Sequence, residues 1–173
     1  MNKRQCILSY AQKQTPINLS TLGYAIIKTQ NQFTSAYAMH DVACAYVAHQ
    51  YLRKKCTIHP IGVDLRRQKV IIKDELPNYF AEKNNKVFCF DAKAKSSVRY
   101  FGWVNERAVI SYRKLAKACE VPVYLIFVQV VGGQVKGQVG YCDVLWKPKV
   151  KGQRAWNGNL VWIFDWKNGL APM

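Results

Sequence analysis

The stretch Val87-Phe88-Cys89-Phe90-Asp91-Ala92-Lys93-Ala94-Lys95 reads as an apolar strand that turns polar at one end, and the architecture is built around it. Side chains along a strand alternate between faces, so Asp91, Lys93 and Lys95 share one side. An apolar strand ending in Asp-x-Lys-x-Lys sets a carboxylate beside two ammonium groups at a sheet rim. That grouping suits phosphodiester chemistry, in which the carboxylate holds a divalent metal while the lysine positions or activates water. A surface ion pair where a strand emerges has the same appearance, so the neighbouring sequence must carry the distinction.

Upstream, Thr34 or Ser35 caps an Ala-rich helix running to about Lys54, whose basic end suits the helix dipole. Two strand-like stretches follow, Thr57–Arg66 and Lys69–Lys73, then turn signals at Pro77-Asn78 and Lys83-Asn84-Asn85. Downstream, a second helix runs from about Glu106 to Cys119 and stops before Pro122. Val121–Val131 is nearly continuous in apolar residues, as expected of a strand covered on both faces, and Gly132-Gly133 closes it. Short β pieces follow at Gln138–Tyr141, Val144–Trp146 and Leu160–Phe164, the last after the hairpin signal Asn157-Gly158. Residues 1–22 read as irregular, with a short strand at Gly23–Lys28. These elements predict one α/β domain over 1–173, with its core at about 34–131 and a β-rich extension over 132–173.

Glu75-Leu76-Pro77-Asn78-Tyr79-Phe80, a basic turn and then Val87–Lys95 resemble the PD-(D/E)xK nuclease signature. The flanking helices and the strand Val121–Val131 follow that family's order over roughly residues 34–131. The resemblance implies a restriction endonuclease-like mixed β-sheet flanked by helices. It also implies a magnesium (or manganese) ion held by the acid after the proline and by the acid of D/E-x-K. The lysine then orients the nucleophilic water, and an acid on the first helix completes the site. Carried over, Asp91 is a metal ligand, Lys93 the water-orienting lysine and Asp41 the helix carboxylate. Asp41 is spaced with Ala45, Ala48 and Leu52 as one apolar stripe; the alternative reading is an early-helix acid favoured by the dipole. The position after the proline is Asn78, a neutral and weaker ligand. Three explanations stand: Asp74 takes the role, Asp64 is the true equivalent, or catalysis is lost while the fold still binds nucleic acid.

Charge points the same way. Lys and Arg number 26 against 10 Asp and Glu, a net charge of +16, and no acid occurs before Asp41. Such an imbalance costs self-repulsion that an anionic partner relieves. Phosphate neutralisation makes DNA the expected partner, with RNA second. The proposed nucleic-acid surface holds Lys95, Arg99, Arg107, Arg113, Lys114 and Lys117, interleaved with Tyr100, Phe101 and Trp103. Lys149 and Lys151 sit in a second basic loop. No basic amphipathic helix or long apolar run argues for a membrane, and no apolar segment of a secretory signal follows the N-terminus. Six cysteines without a CxxC pair read as reduced, mostly buried thiols of a cytoplasmic protein. His40/Cys44 and Cys56/His59 are too few for a tetrahedral zinc site.

Three functions follow in order. The first is a metal-dependent DNA endonuclease or Holliday-junction-resolvase-like enzyme, with a homodimer compatible with that role. The second is a catalytically inactive nucleic-acid-binding protein of the same fold. The third is a basic adaptor for acidic protein partners.

Overall fold

The computed structural model describes residues 2–13, 16–18, 30–61, 70–72, 74–96, 101–155, 158–169 and 171. The expected strand Gly23–Lys28 and the second half of Thr57–Arg66 lie outside them. The first element is a helix, α1 (Lys3–Gln12), where irregular chain was expected. The Asn2 side chain caps it by accepting the Gln5 N–H at 2.8 Å. Its signal in sequence is weak because Lys3 and Arg4 occupy the dipole-unfavourable first turn and only Ile7 is buried. A two-stranded antiparallel pair joins β1 (Pro16–Asn18) to β3 (Val70–Ile72).

The first long helix, α2 (Gln30–Arg53), begins ahead of the expected cap at Thr34 or Ser35. The main sheet comprises β2 (Thr57–Pro60), β4 (Tyr79–Lys83), β5 (Lys86–Lys95), β7 (Val123–Val131) and β8 (Gln134–Asp143). They lie side by side in the order β2-β4-β5-β7-β8. Neighbours are antiparallel except β5 and β7, which run parallel. The parallel pair needs a crossover, supplied by β6 (Phe101–Asn105) and α3 (Glu106–Cys119). The result is an α/β fold with a mixed sheet flanked by helices.

Ala43, Cys44, Val47 and Tyr51 of α2 cover one sheet face, packing with Phe88, Phe90, Ala92 and Ile126. Val109, Tyr112, Leu115 and Ala116 of α3 cover the other, with Phe80, Cys89, Leu125 and Phe127. β7 is buried by both layers, which explains its almost unbroken apolar run. The sheet extends past residue 131, because β8 folds back on β7 through Gly132-Gly133. β9 (Val150–Arg154) and β10 (Leu160–Asp165) form a separate antiparallel sheet with β6. Val144–Trp146, expected as β, is a turn: Asp143 Oδ1 accepts the Leu145 N–H at 2.8 Å and draws the chain round. Of the second basic loop expected to hold Lys149 and Lys151, Lys151 is in strand, since β9 begins at Val150.

The thiol expectation needs one correction. Cys44, Cys56, Cys89 and Cys142 are free and buried, but Cys6 and Cys119 form a disulfide. Their Cα atoms lie 5.5 Å apart because α1 packs on α3, a proximity across 113 residues that no local pattern reveals.

Candidate active site

The strand β5 is buried from Phe88 to Ala92 and half-buried from Lys93 to Lys95, so the Asp-x-Lys-x-Lys run lies where it emerges. Asp91 is 1% exposed, one of two buried polar or charged residues among those described. Its side chain lies on the α3 face, where Tyr112 Oη donates to Oδ2 at 2.7 Å. Lys93 Nζ reaches the same oxygen at 2.6 Å. A buried carboxylate is tolerated only when paired and hydrogen-bonded, and both conditions are met.

The pair shifts the groups around it. Burial opposes the charge on Lys93, but the Asp91 carboxylate outweighs it and holds the ammonium's pKa above its ordinary value. Burial, then the charges of Asp91 and Glu75, push the Tyr112 hydroxyl well up, so it stays a proton donor. Lys95 moves the other way: burial, then repulsion from Lys93, lowers its pKa to about 8. Its Nζ donates to the Trp103 carbonyl at 3.0 Å and lies 5.5 Å from the centre of the Phe127 ring. A lysine near 8 lies closer to the working range of a proton-transfer group than an ordinary one.

Asn78 lies immediately before β4 and beside Asp91's neighbour. Its Oδ1 accepts the Ala92 N–H at 3.0 Å and the Cys44 thiol at 3.3 Å, while Nδ2 lies 3.4 Å from His40 Nε2. The amide thus straps α2 to β5. His40 and Cys44, noted in sequence only for zinc-like spacing, are its α2 partners. Period 3.6 put them on one face but gave no hint of which residue that face would meet.

Of the remaining expected ligands, Asp41 and Asp74 lie among the described residues. Asp41 is exposed, as is Leu52 at 55%, because the buried stripe of α2 is Ala43, Cys44, Val47 and Tyr51. The expected stripe Asp41-Ala45-Ala48-Leu52 is therefore turned away from the core. The charge of Asp41 does act on Tyr79, whose pKa is raised by burial and then by Cys44 and Asp41. Asp74 pairs with Lys114 at 2.6 Å, and Asp64 lies outside the described residues. Glu75, not singled out in sequence as a ligand, acts electrostatically on both Lys93 and Tyr112, and it accepts from Arg107 Nε at 2.7 Å. No group of three His, Cys, Asp or Glu residues able to hold a metal occurs among the described residues.

The expected nucleic-acid cations divide into two sets. Arg113 clamps the fold, donating to the Val144 and Trp146 carbonyls at 2.6 and 2.7 Å and stacking 4.8 Å from the Trp162 ring centre. Lys114 and Arg107 are exposed and engaged with Asp74 and Glu75. Lys117, Lys149 and Lys151 are exposed, with Lys149 3.8 Å from Asp165 and Lys151 over Trp162 at 5.1 Å. Arg99 lies outside the described residues.

Among solved structures, the chain is similar to Hjc, a Holliday junction resolvase of the archaeal hyperthermophile Archaeoglobus fulgidus. The TM-score is 0.41 and the sequence identity 6%, over 79% of this chain and 87% of that one. At this degree of overlap the likeness says nothing of activity. No protein-family model matches the chain, and no curated protein matches it. What the site itself offers is a buried carboxylate bound to an ammonium and a phenol, at the rim of a strongly basic molecule.

Proposed function

We propose that the chain is a metal-dependent endonuclease acting on DNA, with Asp91 and Lys93 at its reacting centre. The observation that carries this reading is the Asp91–Lys93 pair, a buried carboxylate bound to a half-buried ammonium at the emerging end of β5. Taking the Asp91 carboxylate out of water costs energy that an apolar residue would not incur, so its presence there points to use rather than stability. The charge of +16 supplies attraction for a polyanion.

Magnesium (or manganese) fits the donors present. Magnesium is commonly held by one or two carboxylates together with waters and substrate phosphate oxygens, so three protein acids are not required. Asp91 would hold it, with Glu75, whose charge acts on Lys93 and Tyr112, as a second acid and Asp41, Asp74 and Asp64 the other candidates. When bound, the ion would polarise the phosphodiester. Lys93, kept charged by Asp91, holds water or a phosphate oxygen through its ammonium protons. Tyr112 keeps the carboxylate oriented. Arg107, Lys117, Lys149 and Lys151 contact backbone phosphates, and a branched junction is the finer substrate class.

A second reading rests on Asn78, whose amide oxygen already accepts from Ala92 and Cys44. An amide so engaged is a poor ligand, and the chain would then bind nucleic acid without cutting it. A cleavage assay on supercoiled, branched and single-stranded DNA, with and without magnesium, separates the two. The enzyme reading expects metal-dependent cleavage that Asp91→Asn and Lys93→Ala abolish, with binding kept in the first and modestly weakened in the second. Binding without cleavage under all metals supports the second reading, and cleavage that survives both substitutions removes this site from the mechanism.

A further inference from the structure

The end of the main sheet remote from Lys95 carries a second cationic surface. There β4 and β5 join through Asn84-Asn85, with φ of 50° and 63°. On one side of this turn a hollow of 320 Å³ is lined by Lys55, Glu82 and Lys83 among others. On the other, a hollow of 400 Å³ is lined by Lys3, Lys86, Phe88 and Tyr124 among others, and Asn85 borders both. Four lysines from α1, the end of α2, β4 and β5 are thus gathered round one turn. The acid among the lining residues, Glu82, is engaged by His59 at 2.8 Å and Arg4 at 3.6 Å. Arg53 and Lys54 add two more exposed cations at the end of α2. Gathering like charges from separate elements costs repulsion that an anionic partner relieves.

This pole is separate from the Asp91–Lys93 end. Lys86 precedes Asp91 by five residues, about 17 Å along an extended strand. Its alternation places it with Phe88 and Phe90 on the α2 side, whereas Asp91 lies on the α3 side. A duplex seated across the Asp91 end, at right angles to the strand, leaves the lysine pole open to a second one. The rings flooring the second hollow are themselves buried, Phe88 at 2% and Tyr124 at 8%, and offer little surface for base stacking. Contact with a phosphate backbone fits better than capture of unpaired bases.

We propose that the Lys3–Lys55–Lys83–Lys86 pole is a second nucleic-acid-binding surface, holding a second duplex segment while the first occupies the Asp91–Lys93 end. The inference rests on the reading of the chain as a DNA-binding protein. It is tested by titrating the full chain with a DNA duplex of about 10 base pairs at low salt, where binding to phosphates is strongest. The variant Lys3→Gln/Lys55→Gln/Lys86→Gln leaves Lys83 in place, because its Nζ donates to the Lys54 carbonyl at 2.7 Å. Wild-type chain should bind two duplexes and the variant one. The summed slope of log affinity against log salt should weaken by about 0.9 for each phosphate that is no longer neutralised. Lys86→Glu alone, at one exposed side chain, should selectively weaken the second binding event. A variant that keeps both the wild-type stoichiometry and the salt slope overturns the inference. One duplex per wild-type chain overturns it while leaving the proposed function standing, and no binding by the wild type overturns both.

Discussion

Asp91 Oδ2 takes hydrogen bonds from both Tyr112 and Lys93, and the phenol is the neutral member of that trio. Tyr112→Phe keeps the ring packed but removes one donor to a buried charge. It should destabilise the fold by about 1.5–3 kcal/mol, read as a lowered urea midpoint at unchanged slope. Two positions beyond Lys93, Lys95 makes a pH-dependent contribution of opposite sense to a paired lysine. Its folded pKa of about 8 lies below the ordinary 10.5, so between those values the unfolded chain binds more protons. Stability from this group therefore rises as pH climbs from about 8 towards 10.5, and Lys95→Met should flatten that rise in a pH series of urea melts. A Lys95 contribution to DNA affinity should fade as pH rises through about 8, as its charge disappears.

At the scale of elements, α3 ends on Glu120, held left-handed at φ 51° with its N–H bonded to the Ala116 carbonyl. A side chain in that region carries a steric cost which glycine avoids, so Glu120→Gly should raise stability by about 0.5–1 kcal/mol. The thermal midpoint checks it. The same helix is tied to α1 through Cys6–Cys119. Thiol titration of the unfolded, unreduced protein should therefore count four free thiols, those of Cys44, Cys56, Cys89 and Cys142. Reduction should lower the thermal midpoint, since closing a loop of about 100 residues is worth up to ~4.7 kcal/mol in the chain-entropy account.

Across the whole molecule, charge sets the behaviour towards partners. Cations surround both the Asp91 rim and the β4–β5 turn, and four acids near them, Asp74, Glu75, Glu82 and Asp91, are each engaged with a cation. Nucleic-acid affinity should therefore fall by about a thousandfold or more between 50 and 200 mM salt, as counterions displace several lysines and arginines from phosphates. Binding isotherms over that range are the check, and an affinity indifferent to salt would contradict an electrostatic interface.

Long elements with a clear period were legible in the residues alone. Helix α3 begins and ends where its apolar spacing and Pro122 put it, and β5 and β7 follow their apolar runs to within two residues. Asp91, Lys93 and Lys95 were placed at the strand's emerging end by alternation, which needs no partner to be read. Short strands such as β4 and β6 were not legible, because five residues carry too little pattern to outweigh the turn signals around them. The buried face of α2 is not legible for a related reason: its alanines are spread around the helix, and only packing against Phe88 and Phe90 selects Val47 and Tyr51 and leaves Asp41 outside. Local spacing and composition were enough for the layered α/β order, the basic charge and the shared face of Asp91 and Lys93. Packing in three dimensions was needed to bring Asn78 to Cys44 and Ala92, Tyr112 to Asp91 and Cys6 to Cys119. Those pairs are 14 to 113 positions apart, and chain reversal and side-chain packing join them where no period in the sequence does.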